Sequence, residues 1–534
     1  MRGVFSMKEY VAKSNLIGRN KRCRAGPIAL AASFGLGLLS FTSSSAVASD
    51  RERAFEDRQE SVIQALASRY AGRTDWGDCQ FVRFGMESMY LLAALEAERR
   101  GMDGGVALDE VLDDLRSNTA LLVERLGVPG DPGIWSWDQT GSPAIKHSAL
   151  AFGFVLHQWK DELPEAIREN IRLALQESTW KDDASQYLVN GRLSVMAAEL
   201  LAGEALGYES ELWEKACRQF NRMYDYTMSH GGLEMNGPIY SAYHYPPLTF
   251  LQKLEHEEIR NKARILMDNQ LTVAGHLFVP DSGIGTPRSR DRSGAVEARG
   301  TLTQHYAAFF GTPAMPSSSN MSWHLIAAVG DYQPPAIIES FFTEKETDNG
   351  FDFWAYSPAP LGSRIHNAAY DLGPNNATVS PWHAVTAPAG NAVMGIAYGH
   401  RGMTHHISMG VWVRDADGGY QIYYHHNPII AGDTTDVGGR MLGGPSDDPD
   451  DFGHEGHDFQ RLMHGQTLIS LWDPTLEEKA DNVVRAHQDT RARIPNLAEF
   501  GGEMSKRGDW YVGRMGETFI AYRSAGRDCG GGTP

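Results

Sequence analysis

Between residues 50 and 311 apolar side chains return every three or four positions, and beyond residue 313 that rhythm gives way to short alternating runs. The first spacing lines up an apolar stripe on one face of a helix; the second lays alternate residues on opposite faces of a strand. Helices are therefore expected over 51–70, 86–100, 108–126, 148–159, 165–177, 193–206, 209–228 and 257–274, with Pro or Gly at many of the joins. Strands are expected over 392–398, 406–413, 420–424, 467–471 and 518–522, between turns of Gly, Asp and Pro. Antiparallel helix pairs repeated this often can close into an α/α toroid, as a complete or incomplete barrel. So many strands after them call for an antiparallel β-sandwich or layered sheet. The chain thus reads as an α+β multidomain protein, with a helical domain over 49–312, a linker over 313–335 carrying Pro313, Pro316, Pro334 and Pro335, and a sheet domain over 336–534.

Length agrees with two domains, since 534 residues exceed what one ordinary core holds. Composition adds an export signal. Residues 1–48 hold seven Lys or Arg, then an apolar run over 27–41, then small residues ending in Ala-x-Ala at Ala48. A membrane anchor is the rival account, but the run is short and contains Gly35 and Gly37, so a secreted or periplasmic chain with no membrane attachment is expected. Cleavage after Ala48 removes seven positive charges and one negative, taking the net charge from -18 to -24. A nucleic-acid binder needs a basic footprint that so acidic a chain lacks. Cys23 falls in the signal, and Cys79, Cys217 and Cys529 match no zinc or redox spacing, so at most one internal disulfide is expected and buried thiols are the simpler account.

Chemistry concentrates in the helical half. Residues 236–245 read Asn-Gly-Pro-Ile-Tyr-Ser-Ala-Tyr-His-Tyr, placing Tyr240, Tyr243, His244 and Tyr245 on a turn between helices. Phenol and imidazole both move protons once their surroundings shift their pKa, which makes this stretch one wall of a candidate site. Asn190 stands just before the helix expected from 193, where it is either a helix N-cap or an amide donor aimed at an anion. Arg288, Arg290, Arg292 and Arg299 make a basic loop in an acidic chain, and the guanidinium fork suits a carboxylate or sulfate. If the segment after it is helical, Arg299 and Tyr306 lie two turns apart on one face. A guanidinium there would favour the phenolate; packing of Tyr306 beside Phe309 and Phe310 is the plain alternative.

An Asn at a helix start, a Tyr/His-rich turn, and an Arg followed seven residues later by Tyr form an ordered set. It resembles the α/α-toroid polysaccharide lyases that cleave alginate, glucuronan and related uronic-acid polymers. The toroid-then-sheet layout of that family, shared with the heparinase II/III-like group, is similar to that of the whole mature chain. The resemblance implies that Asn190 and His244 neutralise the substrate carboxylate or assist proton abstraction, and that Tyr306 is the acid/base beside Arg299. Tyr240 and Tyr243 compete for that last role, and Gly191 stands where several of these lyases carry His. Arg288, Arg290, Arg292, His305, His405 and Tyr245 fall to substrate binding. The partner implied is an anionic polysaccharide, and β-elimination by this set needs no metal and no other cofactor.

Elsewhere the signals are weaker. His400, His405, His406, His425, His426 and His464 lie in the strand region without zinc-ligand spacing, and adjacent histidines in a regular strand face opposite ways. Residues 447–451 are rich in Asp yet lack the Gly and Glu of a calcium loop. Trp76, Phe81, Trp135 and Trp137 serve equally as sugar-stacking rings or as core. Two rivals of other classes stand beside the lyase: a toroid glycoside hydrolase using Asp75, Asp78 and Glu234, and a noncatalytic glycan-binding protein.

Overall fold

The computed structural model describes residues 42–71, 81–125, 144–177, 189–207, 211–230, 241–279, 284–285, 300–312, 322–330 and 332–344 of the helical part. In the strand part it describes 351–356, 381–389, 392–398, 409–414, 420–425, 430–431, 459–464, 467–472, 485–486, 492–493, 503–515 and 518–522. Two compact units divide the chain at residue 51, and the second, residues 52–534, carries everything below except the start of the first helix.

The long helices are α1 (Thr42–Ala71), α2 (Phe81–Arg99), α3 (Leu108–Arg125), α4 (Ala144–Trp159), α5 (Glu165–Glu177), α6 (Val189–Leu206), α7 (Glu211–His230), α9 (Glu257–Leu277) and α10 (Gly300–Phe310). Between α7 and α9 lie a 3-10 turn, Ala242–His244, and the short helix α8 (Tyr245–Phe250). Periodicity located every one of the eight expected helices, and α5 matches to the residue. Helices α2, α4 and α6 form a packed series buried nearly all round, from Met89 through Phe154 to Leu201. Gly153 lets α4 and α6 approach, since a Cβ there would stand 2.8 Å from the Ala198 carbonyl oxygen.

Two expectations change. The turn expected over 236–245 is helical and buried from 242 on, and the helix runs to 250 because Pro246 and Pro247 sit in the first turn of α8, where a missing N–H costs nothing. The expected linker is not one over its second half: Ser322–Val329 is a 3-10 helix and α11 (Ala336–Thr343) follows. Ile326, Ala327, Ala328 and Val329 are buried in the helical core, and the hydrophobic run that buries them outweighs the Pro and Ser around it. Gly330 seats this turn on α8, where a Cβ would meet Thr249 Cβ at 2.5 Å.

After the short antiparallel pair β1 (Phe278–Val279) and β2 (Ile284–Gly285), the strands β3 (Phe351–Tyr356), β4 (Pro381–Ala389), β5 (Ala392–Tyr398), β6 (Met409–Arg414) and β7 (Tyr420–His425) pair in order, antiparallel throughout, with Ala492–Arg493 added beside β7. Glu503–Arg507, Trp510–Met515 and Thr518–Tyr522 make a separate three-stranded meander. The first pair of the six-stranded set, β3 and β4, carries no clean alternation and was not expected. Strand β3 packs against α7 and α9. No described helix is long and apolar enough to cross a membrane.

Candidate functional site

The frame of the site is set by a few buried polar contacts. Glu204, near the end of α6, accepts hydrogen bonds from the backbone N–H groups of Glu255 (2.8 Å) and His256 (3.0 Å), and its carboxylate lies 2.6 Å from His157 Nε2 on α4. Helix starts leave N–H groups unsatisfied, so this carboxylate ties the entry of α9 to α6 and α4. At the other side, Arg58 and Gln59 of α1 donate to the Ala308 and Phe309 carbonyls at the end of α10. Those are orphan acceptors of a helix C-terminus, and their capture fixes α10 where Tyr306 and His305 enter the core.

The 3-10 turn Ala242–His244 packs against both α6 and α10. Helix α6, the turn and α10 therefore share one neighbourhood, with Tyr245 against His305. Within it His244 is 2% exposed, and its Nδ1 lies 3.2 Å from Nε2 of Gln270 on α9. Tyr243 beside it is 8% exposed.

Below the turn is a closed cluster of rings. Tyr245 stands edge-on to His305, ring centroids 4.7 Å apart, and His305 lies 4.7 Å from His324 and stacks on Phe309. Burial, reinforced by the facing His324, holds the His305 imidazole well below its usual pKa, so it is neutral. Its Nε2 has no hydrogen-bond partner among the described residues. Burial pushes the Tyr245 phenol up, an effect the neighbouring Tyr306 hydroxyl eases. Tyr332 donates to Asp268 Oδ1 at 2.8 Å; burial raises the pKa of both, and the carboxylate charge raises the phenol further.

Tyr306, expected as the acid/base, is 1% exposed and walled by Phe278, Phe342 and Tyr245, with centroids 5.4 Å and 4.7 Å from the two phenylalanines. The aromatic periodicity of 306, 309 and 310 puts it on the core face of α10. His305 and Tyr245, expected to bind substrate, are each 1% exposed and belong to the same packed cluster. Asn190 is the second residue of α6, which starts four residues earlier than periodicity indicated, so it lies within the first turn and not before it. Tyr240, Arg288, Arg290, Arg292, Arg299 and His405 lie outside the described residues, as do Asp75, Asp78, Glu234, Trp76, Trp135, Trp137, Cys79, Cys529, residues 447–451 and His400, His406 and His426. Cys217 is a free, half-buried thiol whose pKa burial raises to about 11. Among the described residues no cluster of three or more His, Cys, Asp or Glu is placed to hold a metal ion.

Sequence reasoning missed Asp268, Gln270, His324 and Tyr332. The first two are polar positions on an amphipathic helix and read as its solvent side. The apolar run after Trp323 was the available signal for His324. No family model matches the chain, and no curated protein matches it.

Proposed function

We propose that the chain is an exported polysaccharide lyase that cleaves a uronic-acid polymer by β-elimination, with β-1,4-glucuronan or alginate as leading substrates. It would act on an α/α toroid followed by an antiparallel β-sandwich. One observation carries the reading: the turn bearing Tyr243 and His244 packs against α6, whose second residue is Asn190, and against α10, which follows the arginine-rich segment in sequence. Amide and imidazole donors at a uronate carboxylate make the C5 proton more acidic, and guanidinium groups from 288–299 would hold neighbouring carboxylates. A tyrosine of the 240–243 pair, as the phenolate, then takes the C5 proton, and the phenol so formed returns it to the C4 oxygen as that oxygen leaves. Tyr243, 8% exposed, is favoured over Tyr306, 1% exposed, because the acid/base must touch the sugar.

The test is to incubate purified protein with glucuronan, polymannuronate, polyguluronate and hyaluronan and to follow ultraviolet absorbance of an unsaturated product. Absorbance growth on a polyuronate is the expected result. Reducing ends without absorbance would mean hydrolysis, and binding with neither signal would mean a glycan-binding protein; either outcome removes the lyase.

A further inference from the structure

The three-stranded meander carries a face to which no residue of the candidate site contributes. A two-residue turn, Gly508-Asp509, joins its first two strands, and Gly508 takes the left-handed conformation, φ 60°, that so tight a hairpin needs. That turn fixes the register. Arg507 stands opposite Trp510 and Ser505 opposite Val512; on the next pair of strands Val512 stands opposite Ala521 and Arg514 opposite Phe519. Directly opposed residues share a face and alternate residues return to it, so these positions all lie on one side of the sheet.

Water reaches the largest rings on that side: Trp510 is 45% exposed and Phe519 62%. Two large aromatics left in solvent on one face mark a surface made to be covered. Arg507 and Arg514 are exposed with them, the Arg514 guanidinium 5.6 Å from the Phe519 centroid. Between the two ends the residues are smaller, with Ser505 and Ala521 flanking a half-buried Val512. The face is thus a shallow trough with an aromatic ring and a guanidinium at each end. One acid, Glu503, shares it by register, opposite Arg514, and Asp509 lies in the turn, off the ladder.

We infer that this face is a second binding surface, for an anionic polysaccharide chain. Apolar sugar faces cover the two rings, and the guanidinium forks take carboxylates of the same chain. Trp510 and Phe519 are separated by four positions along the strand and one strand across, about 14 Å in a regular sheet, so a run of sugars and not a monosaccharide is what covers both. In the proposed lyase this surface holds the polymer while another part of it is cut. That the polymer is a polyuronate rests on the lyase reading; the face of rings and cations does not.

The test is native electrophoresis of the full chain through gels containing glucuronan, alginate or neutral hydroxyethyl cellulose. The polyuronates retard the wild type and the neutral polymer does not. Trp510→Thr and Phe519→Thr, which keep a strand-forming residue, each weaken the apparent Kd about tenfold. Arg507→Gln and Arg514→Gln leave the rings in place and weaken it about threefold, a difference that salt removes. A wild type that no polyuronate retards, retardation that all four variants leave unchanged, or equal retardation by the neutral polymer overturns the inference. So does a change from dimer to monomer in Trp510→Thr on size-exclusion chromatography, which would make the face a contact between copies of the chain. Retardation weakened by the variants in a chain that releases no unsaturated product keeps the surface and removes the lyase. Unsaturated product from a chain whose retardation the variants do not change does the reverse.

Discussion

Two buried histidines flank Tyr245, one preceding it in the chain and one against its ring, and their surroundings differ. His244 is 2% exposed on a turn and is met by the Gln270 amide; His305 is 1% exposed on a helix and is met by the rings of Tyr245, His324 and Phe309. Similar burial thus serves two ends. A polar partner holds the ring by a directed hydrogen bond. Ring stacking fixes only where the imidazole lies, and desolvation keeps it neutral. The expectation from sequence places both residues at the substrate; the proposed lyase keeps the first there and leaves the second to packing.

The widest separation between the two is expected in turnover. His244→Ala lowers kcat about 10²- to 10³-fold with the far-ultraviolet circular dichroism unchanged, whereas His305→Phe leaves kcat near wild type. Equal losses in both would erase the distinction. Next comes the frame on the His244 side: Glu204→Ala strips the acceptor from two backbone N–H groups and from His157, and denaturant unfolding should show about 3 kcal/mol of lost stability. The frame on the His305 side is probed by Gly330→Ala, which presses a methyl group into Thr249 and costs about 2 kcal/mol by overpacking.

The smallest effect is the dependence on pH. The folded-state pKa of His305 lies below the unfolded value of about 6.5, so the unfolded chain binds the extra proton first. Its contribution is complete above that pH and is lost as the pH falls through it towards the folded value. The melting temperature should drop on acidification, and His305→Phe should flatten that drop. Tyr245 and Tyr332 act at the other end: their phenols are held neutral by burial, so their contribution is present below about 10 and is lost as the pH rises beyond it.

Much of the helical frame was legible because a 3.6-residue period is a long-range signal, and 165–177 and 257–274 came out at or near their true bounds. What failed was local. The dipeptide Pro334-Pro335 and the serines before it suggested a linker, yet the run Leu325–Val329 buries itself wherever a groove is offered, and only tertiary packing on α8 reveals the groove. In the site, the turn with His244 stood out by composition, whereas Gln270 did not. A glutamine on a helix carries no signal of which side chain it will meet twenty-six residues away. Tyr306 carries two signals at once: seven residues after an arginine it reads as chemistry, and three before Phe309 it reads as core, where the structure buries it.

The central claim is that the turn bearing His244 belongs to the site of a polyuronate lyase. Its most direct test is the rate of unsaturated-product absorbance from glucuronan and alginate for the wild type, His244→Ala and Tyr306→Phe side by side. The account predicts a rise with the wild type, a rate reduced by orders of magnitude in His244→Ala, and a rate near wild type in Tyr306→Phe. A His244→Ala chain that turns over as fast as the wild type would contradict it.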